Sequence, residues 1–190
     1  MHWSELSKQL KTGDVILFHQ DGLISKLIEL VTEAHFSHVG MVVRGDDGSL
    51  KLWQSFAPDG GVELCDLFEF LQKYTGTYKG VYIDARHLNV NAPSNFWDPL
   101  PGFIKKVDGR PFPTVWGMVE NYIKGRLGID SGEKTFFCSD LVALSYMQVG
   151  LLPKRPPPNY YAPKNFSALK EIDLELGASF SDHIRIELPD

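Results

Sequence analysis

The sequence predicts a single α+β domain, built on a small and mostly antiparallel sheet with helices packed on one side. Three observations point there. Short runs rich in β-branched and aromatic residues are punctuated by Gly and Asp turn signals, the pattern of hairpin-connected strands. Other stretches, above all residues 137–149, carry apolar residues at helical spacing. The chain's 190 residues, 43% hydrophobic and 23% charged, suit one core of ordinary size, so residues 1–190 are expected to form one domain.

Residues 3–10 read as a short helix, Thr12-Gly13-Asp14 as a turn and Val15-Ile16-Leu17-Phe18 as a buried strand. Leu23, Leu27, Leu30 and Val31 share one face of a helix over residues 22–32. Phe36-Ser37-His38-Val39-Gly40-Met41-Val42-Val43 reads as a strand that ends at Gly45-Asp46-Asp47-Gly48, with residues 50–56 as its hairpin partner. The turn Pro58-Asp59-Gly60-Gly61 leads into a short strand, Val62-Glu63-Leu64, and then a helical face of Leu67, Phe68, Phe70 and Leu71. Residues 79–88 alternate as a strand. Pro93, Pro99, Pro101, Pro111 and Pro113 predict a long irregular loop over residues 89–113, of the kind that shapes a cleft. Residues 115–127 and, more strongly, 137–149 read as helices, the second stopped by Gly150. The proline-rich remainder wraps back as irregular chain, and Ile184-Arg185-Ile186-Glu187-Leu188 closes it as an edge strand.

Composition excludes several function classes. The formal net charge is −5 and no dense Lys/Arg cluster occurs, so nucleic acid is not an expected partner. Residues 1–12 lack the apolar run of a secretory signal, and no apolar stretch is long enough to cross a bilayer. Two cysteines, Cys65 and Cys138, cannot make a multi-bridge framework, so reduced thiols and a cytoplasmic setting are expected. No Cys-x-x-Cys pair occurs, and His35 and His38 with Asp46 or Asp47 make a strained ligand set, so neither a metal nor a cofactor is expected.

Cys138 opens the helix near residue 137, where oriented N–H groups and positive potential favour a thiolate and a tetrahedral oxyanion. By itself Phe136-Phe137-Cys138 is equally a buried apolar thiol. Of six histidines, His2 and His183 lie near the termini, His19 follows a strand and His87 precedes the proline-rich stretch. His38 opens an apolar strand that would hold a general base rigidly, with His35 the next candidate. Gln54, on the paired strand, falls within a residue or two of the position opposite His38 and suits an orienting role. Asp14 reads as a turn residue, Asp140 as a helix-dipole residue and Cys65 as structural.

These blocks, with Gly61-Val62-Glu63-Leu64, Phe136-Phe137-Cys138-Ser139-Asp140-Leu141-Val142-Ala143 and Gly150-Leu151-Leu152, resemble those of the permuted NlpC-type papain-like cysteine amidases, the YiiX-like group, over residues 12–166. The resemblance implies a circularly permuted papain-like fold with Cys138 as nucleophile, His38 as base and Gln54 as orienting residue. The base preceding the nucleophile by 100 positions (138 − 38) matches the permuted order. It further implies hydrolysis of an amide or ester through an acyl-enzyme, on a small peptide, peptidoglycan fragment or acyl lipid. A lipid acyltransferase or phospholipase of the same fold is the alternative, with Phe96, Trp97 and Phe103 as candidates to line its groove. A weakened binding module is the other, because an amide stands at Gln54 where the group commonly has Glu. On this reading Gln54→Glu keeps the bond to His38 and matches or exceeds the parent's activity.

Overall fold

The computed structural model describes residues 1–21, 35–167 and 172–189, and the helix expected over residues 22–32 lies outside them. Helix α1 (Trp3–Gln9) precedes strand β1 (Val15–Asp21), and β2 (His38–Arg44), β3 (Leu50–Phe56) and β4 (Gly61–Asp66) follow as successive hairpins. Helix α2 (Leu67–Thr77) leads to β5 (Lys79–Arg86) and the short β6 (Leu88–Asn89). Three helices come next, α3 (Pro99–Val107), α4 (Val115–Arg126) and α5 (Cys138–Gln148), before the short strands β7 (Ser179–Phe180) and β8 (Ile184–Arg185). The central sheet has six strands, ordered β4-β3-β2-β1-β5-β8, and every pairing in it is antiparallel.

Strand alternation splits the core in two. Val15, Leu17, Val39, Met41 and Trp53 point to the face covered by α3, α4 and α5. Ile16, Phe18, Val42, Leu52 and Phe56 point to the face covered by α1 and α2. Helices therefore cover both faces, which corrects the expectation of helices on one side. The reason is in the strands: Val15-Ile16-Leu17-Phe18 and Val39 to Val42 carry no polar face, and such a sheet has to be covered twice.

The proline-rich stretch also departs from the long irregular loop expected of it, since α3 lies inside it. Pro99 and Pro101 fall in the first turn, where a missing N–H removes no intrahelical bond. Leu100, Phe103 and Val107, spaced three and four apart, bury one stripe against the core. Proline content decided the sequence reading, and its position within a turn decided the structure.

Gly61 sets the chain after α3 beside β4. Its φ is +140°, and it bridges to Pro111 while Val62 N–H donates to Arg110 O at 2.8 Å. A Cβ at Gly61 would lie 2.1 Å from Arg110 O. Gly61→Ala is therefore expected to lower the unfolding free energy by about 2 kcal/mol, combining the φ penalty with overpacking. A thermal midpoint within a degree of the parent's would show that the 109–111 segment moves aside freely.

Candidate active site

Strand β3 carries two functions on its two faces. On one, Trp53 Nε1 donates to Ser145 Oγ at 3.1 Å and Ser55 Oγ donates to Phe136 O at 2.7 Å, which fixes α5 and the chain entering it. Cys138, the first residue of α5, is thereby held on the face shared with Val39 and Met41. On the other face Gln54, fully buried, accepts from His38 Nε2 at 2.8 Å. The His38 ring lies among Phe18, Phe56 and Phe70, at centroid distances of 5.1, 5.0 and 6.4 Å.

The pairing between β2 and β3 ends near these residues. The β2–β3 ladder runs from Arg44↔Leu50 to Met41↔Trp53 and stops, short of the positions that would pair Gly40 with Gln54 and Val39 with Ser55. Beyond that point β2 packs against α5, and the Val39, Ser139 and Cys138 amides favour the ionised form of the Cys138 thiol. Cys138 thus lies near the start of β2, on the face that carries Val39, while the His38 ring lies on the other. No hydrogen bond joins it to the imidazole among the described residues.

Burial dominates the charge states. It pushes the Cys138 thiol up to about 12, against the downward pull of the Val39, Ser139 and Cys138 amides, with Asp140 adding to the rise. It takes His38 down to about 4 although the Gln54 bond favours the cation. The resting pair is a neutral thiol and a neutral imidazole. The thiolate expected from the helix N-terminus is overridden, because a closed apolar site costs an ion more than one helix end returns. Cys65 also reaches about 12, through burial and then Glu63, so neither cysteine is a ready thiolate.

Other sequence readings need correction. Asp14 is far more than a turn residue: it is buried, and its carboxylate accepts from Lys11 N, Leu88 N and His87 Nδ1 at 2.9, 2.8 and 2.7 Å. His87 is accordingly pinned rather than free at the surface. Asp140 is buried and accepts from Phe137 N at 3.3 Å, and its carboxyl is raised to about 7 by desolvation. Phe103 is a core residue facing Trp53 edge-on, and Phe96 and Trp97 pack partly buried against the same core. Of the three aromatic residues expected to line a groove, Phe103 is thus buried in the core. His35 offers its backbone oxygen to His19 Nδ1 at 2.6 Å.

Sequence reasoning missed Glu63, which accepts from Gln54 Nε2 at 2.8 Å. The turn at residues 57–60, placed symmetrically between β3 and β4, makes Gln54 and Glu63 direct cross-strand partners, and register counting from it was the available signal.

The described residues therefore define a mixed α+β protein with a central antiparallel sheet, a buried cysteine at a helix start and a buried His–Gln pair on the sheet. No protein-family model matches the chain, and no curated protein matches it. Among solved structures it is similar to the metalloprotein yiiX from Escherichia coli O157:H7, with 19% sequence identity and a TM-score of 0.54 over 74% of this chain and 67% of that one. The likeness is one of fold. Among the described residues no three His, Cys, Asp or Glu side chains converge in a way that could hold a metal ion. No described helix is long and apolar enough to cross a membrane.

Proposed function

We propose that the chain is a cysteine hydrolase of the permuted papain-like, NlpC type, in which Cys138 attacks an amide or ester carbonyl, His38 removes its proton and Gln54 fixes the imidazole. The observation that carries this reading is the hydrogen bond between His38 Nε2 and Gln54 Oε1, made by the two strands, β2 and β3, against which the helix opening at Cys138 packs. With Nε2 as donor, the neutral ring keeps its lone pair on Nδ1 and can act as a base. The fold likeness and the chain order His38, Gln54, Cys138 support the same assignment.

Because thiol and imidazole are both neutral at rest, proton transfer accompanies attack rather than preceding it. The Sγ–imidazole bond has to form as substrate enters, and catalytic hydrogen bonds are commonly long in substrate-free enzymes. The Val39, Ser139 and Cys138 amides, which favour the ionised thiol, stabilise sulfur anion at that moment, and the first-turn N–H groups of α5 suit the carbonyl oxyanion. The imidazolium returns its proton to the departing amine or alcohol as the C–N or C–O bond breaks and a thioester remains on Cys138, which water or another acyl acceptor then resolves.

The test is labelling of the full chain with a peptidyl acyloxymethyl ketone at pH 7, read by peptide mass spectrometry. Cys138 is expected to take the label and Cys65 to remain unmodified. His38→Ala is expected to slow labelling by about a hundredfold or more, the scale of a lost general base. Labelling shared evenly by both cysteines, or unaffected by His38→Ala, overturns the proposal.

A further inference from the structure

Gln54 is held from both ends. Its Oε1 accepts from His38 Nε2 at 2.8 Å, while its Nε2 donates to Glu63 Oε1 at 2.8 Å and to Cys65 Sγ at 3.5 Å. A carboxylate only accepts, so the NH₂ group must face Glu63 and the carbonyl oxygen must face His38. A flipped amide would set two oxygens against each other in a fully buried position where no water can intervene. With the amide fixed this way, His38 has to donate through Nε2.

The structure assigns to Glu63 the role of a positioning residue: acting through Gln54, its carboxylate holds His38 as the Nε2–H tautomer. The catalytic consequence rests on the hydrolase reading; the tautomer itself does not. Placement of the charge also becomes intelligible. Position 54 is enclosed, whereas Glu63 is half-buried and lines a surface cleft with Asp59, Asp66, Glu69 and Lys73. A carboxylate at 63 can be solvated from that cleft, and an amide at 54 passes its preference inward. The amide at 54 is then a connector and not a weakened acid. Gln54→Glu, expected from sequence alone to match the parent, would bring two carboxylates to hydrogen-bond distance, where one must take up a proton.

The experiment reads the His38 tautomer directly, by long-range ¹H–¹⁵N correlation of ¹⁵N-histidine-labelled full-length protein at pH 7, together with the rate of Cys138 labelling. The parent is expected in the Nε2–H form. Glu63→Leu releases the amide and is expected to give a mixed or Nδ1–H population and labelling slower by about tenfold or more. Glu63→Gln still offers an oxygen to Gln54 Nε2 and is expected to keep the Nε2–H form. Gln54→Glu is expected to lose labelling rate, and the swapped pair Gln54→Glu with Glu63→Gln to recover it to within about threefold of the parent. An unchanged Nε2–H tautomer in Glu63→Leu overturns the assignment, as does a swapped pair no faster than Gln54→Glu. A tautomer that shifts in Glu63→Leu, in a protein whose Cys138 labelling ignores His38, keeps the positioning role and removes the hydrolase reading.

Discussion

Trp53→Ala is expected to lower the unfolding free energy by about 3–5 kcal/mol, the cost of emptying a fully buried indole site. Trp53 lies on the face of β3 that meets α5, and Phe103 of α3 packs against it at 6.4 Å between centroids. The cavity would open between the sheet and two helices at once. Trp53→Phe separates packing from polarity, because it keeps most of the apolar surface and removes the donor to Ser145 Oγ. Ser145 still donates to Leu141 O at 2.7 Å, so this second variant should cost only about 1–2 kcal/mol. Urea unfolding followed by far-UV circular dichroism checks both. A loss below about 1 kcal/mol for Trp53→Ala would mean that the helices collapse into the space.

Asp140→Asn is expected to stabilise the protein at pH 8 by about 2–4 kcal/mol and to leave it nearly unchanged at pH 4. In the folded chain burial raises this carboxyl to about 7 from its ordinary 3.8. As pH rises through that window the unfolded chain releases its proton first, so stability is lost on the way up, by roughly 4 kcal/mol at full extent. An amide in its place carries no charge and still accepts from Phe137 N–H. His38 works in the opposite direction: unfolded it takes up a proton near 6.5, folded only near 4, so stability is lost as pH falls through that window. In the parent the two slopes largely cancel. In Asp140→Asn the histidine slope stands alone, and stability should fall by roughly 3 kcal/mol from pH 7 to pH 4. Parallel stability–pH curves for parent and variant would show that Asp140 is hydrated in solution.

The strands and helices around the site could be read from short-range pattern. Phe36 to Val43 and residues 50–56 announce a hairpin through Gly45-Asp46-Asp47-Gly48, and Gln54 followed from counting across it. The covering of both sheet faces is legible in the unbroken apolar runs of β1 and β2. Other features were not legible because they depend on contacts distant in sequence. Asp14 meets His87 across 73 residues, and its burial cannot be inferred from a Thr-Gly-Asp turn. The charge states of Cys138 and His38 depend on how completely Phe18, Phe56, Phe70 and α5 close the site, which no local motif encodes. Glu63 is within reach of register counting across the turn at residues 57–60, although nothing in its local sequence sets it apart from an ordinary strand residue.

Alternation along β3 has one more consequence. Trp53 and Ser55 mount the cysteine helix on one face, while Gln54 clamps the imidazole on the other, so a slip of β3 by a single residue exchanges the two sets. Such a chain would lose the thiol's mount and the imidazole's clamp together. The helix mount and the imidazole clamp therefore form together, when β3 is in register, or not at all.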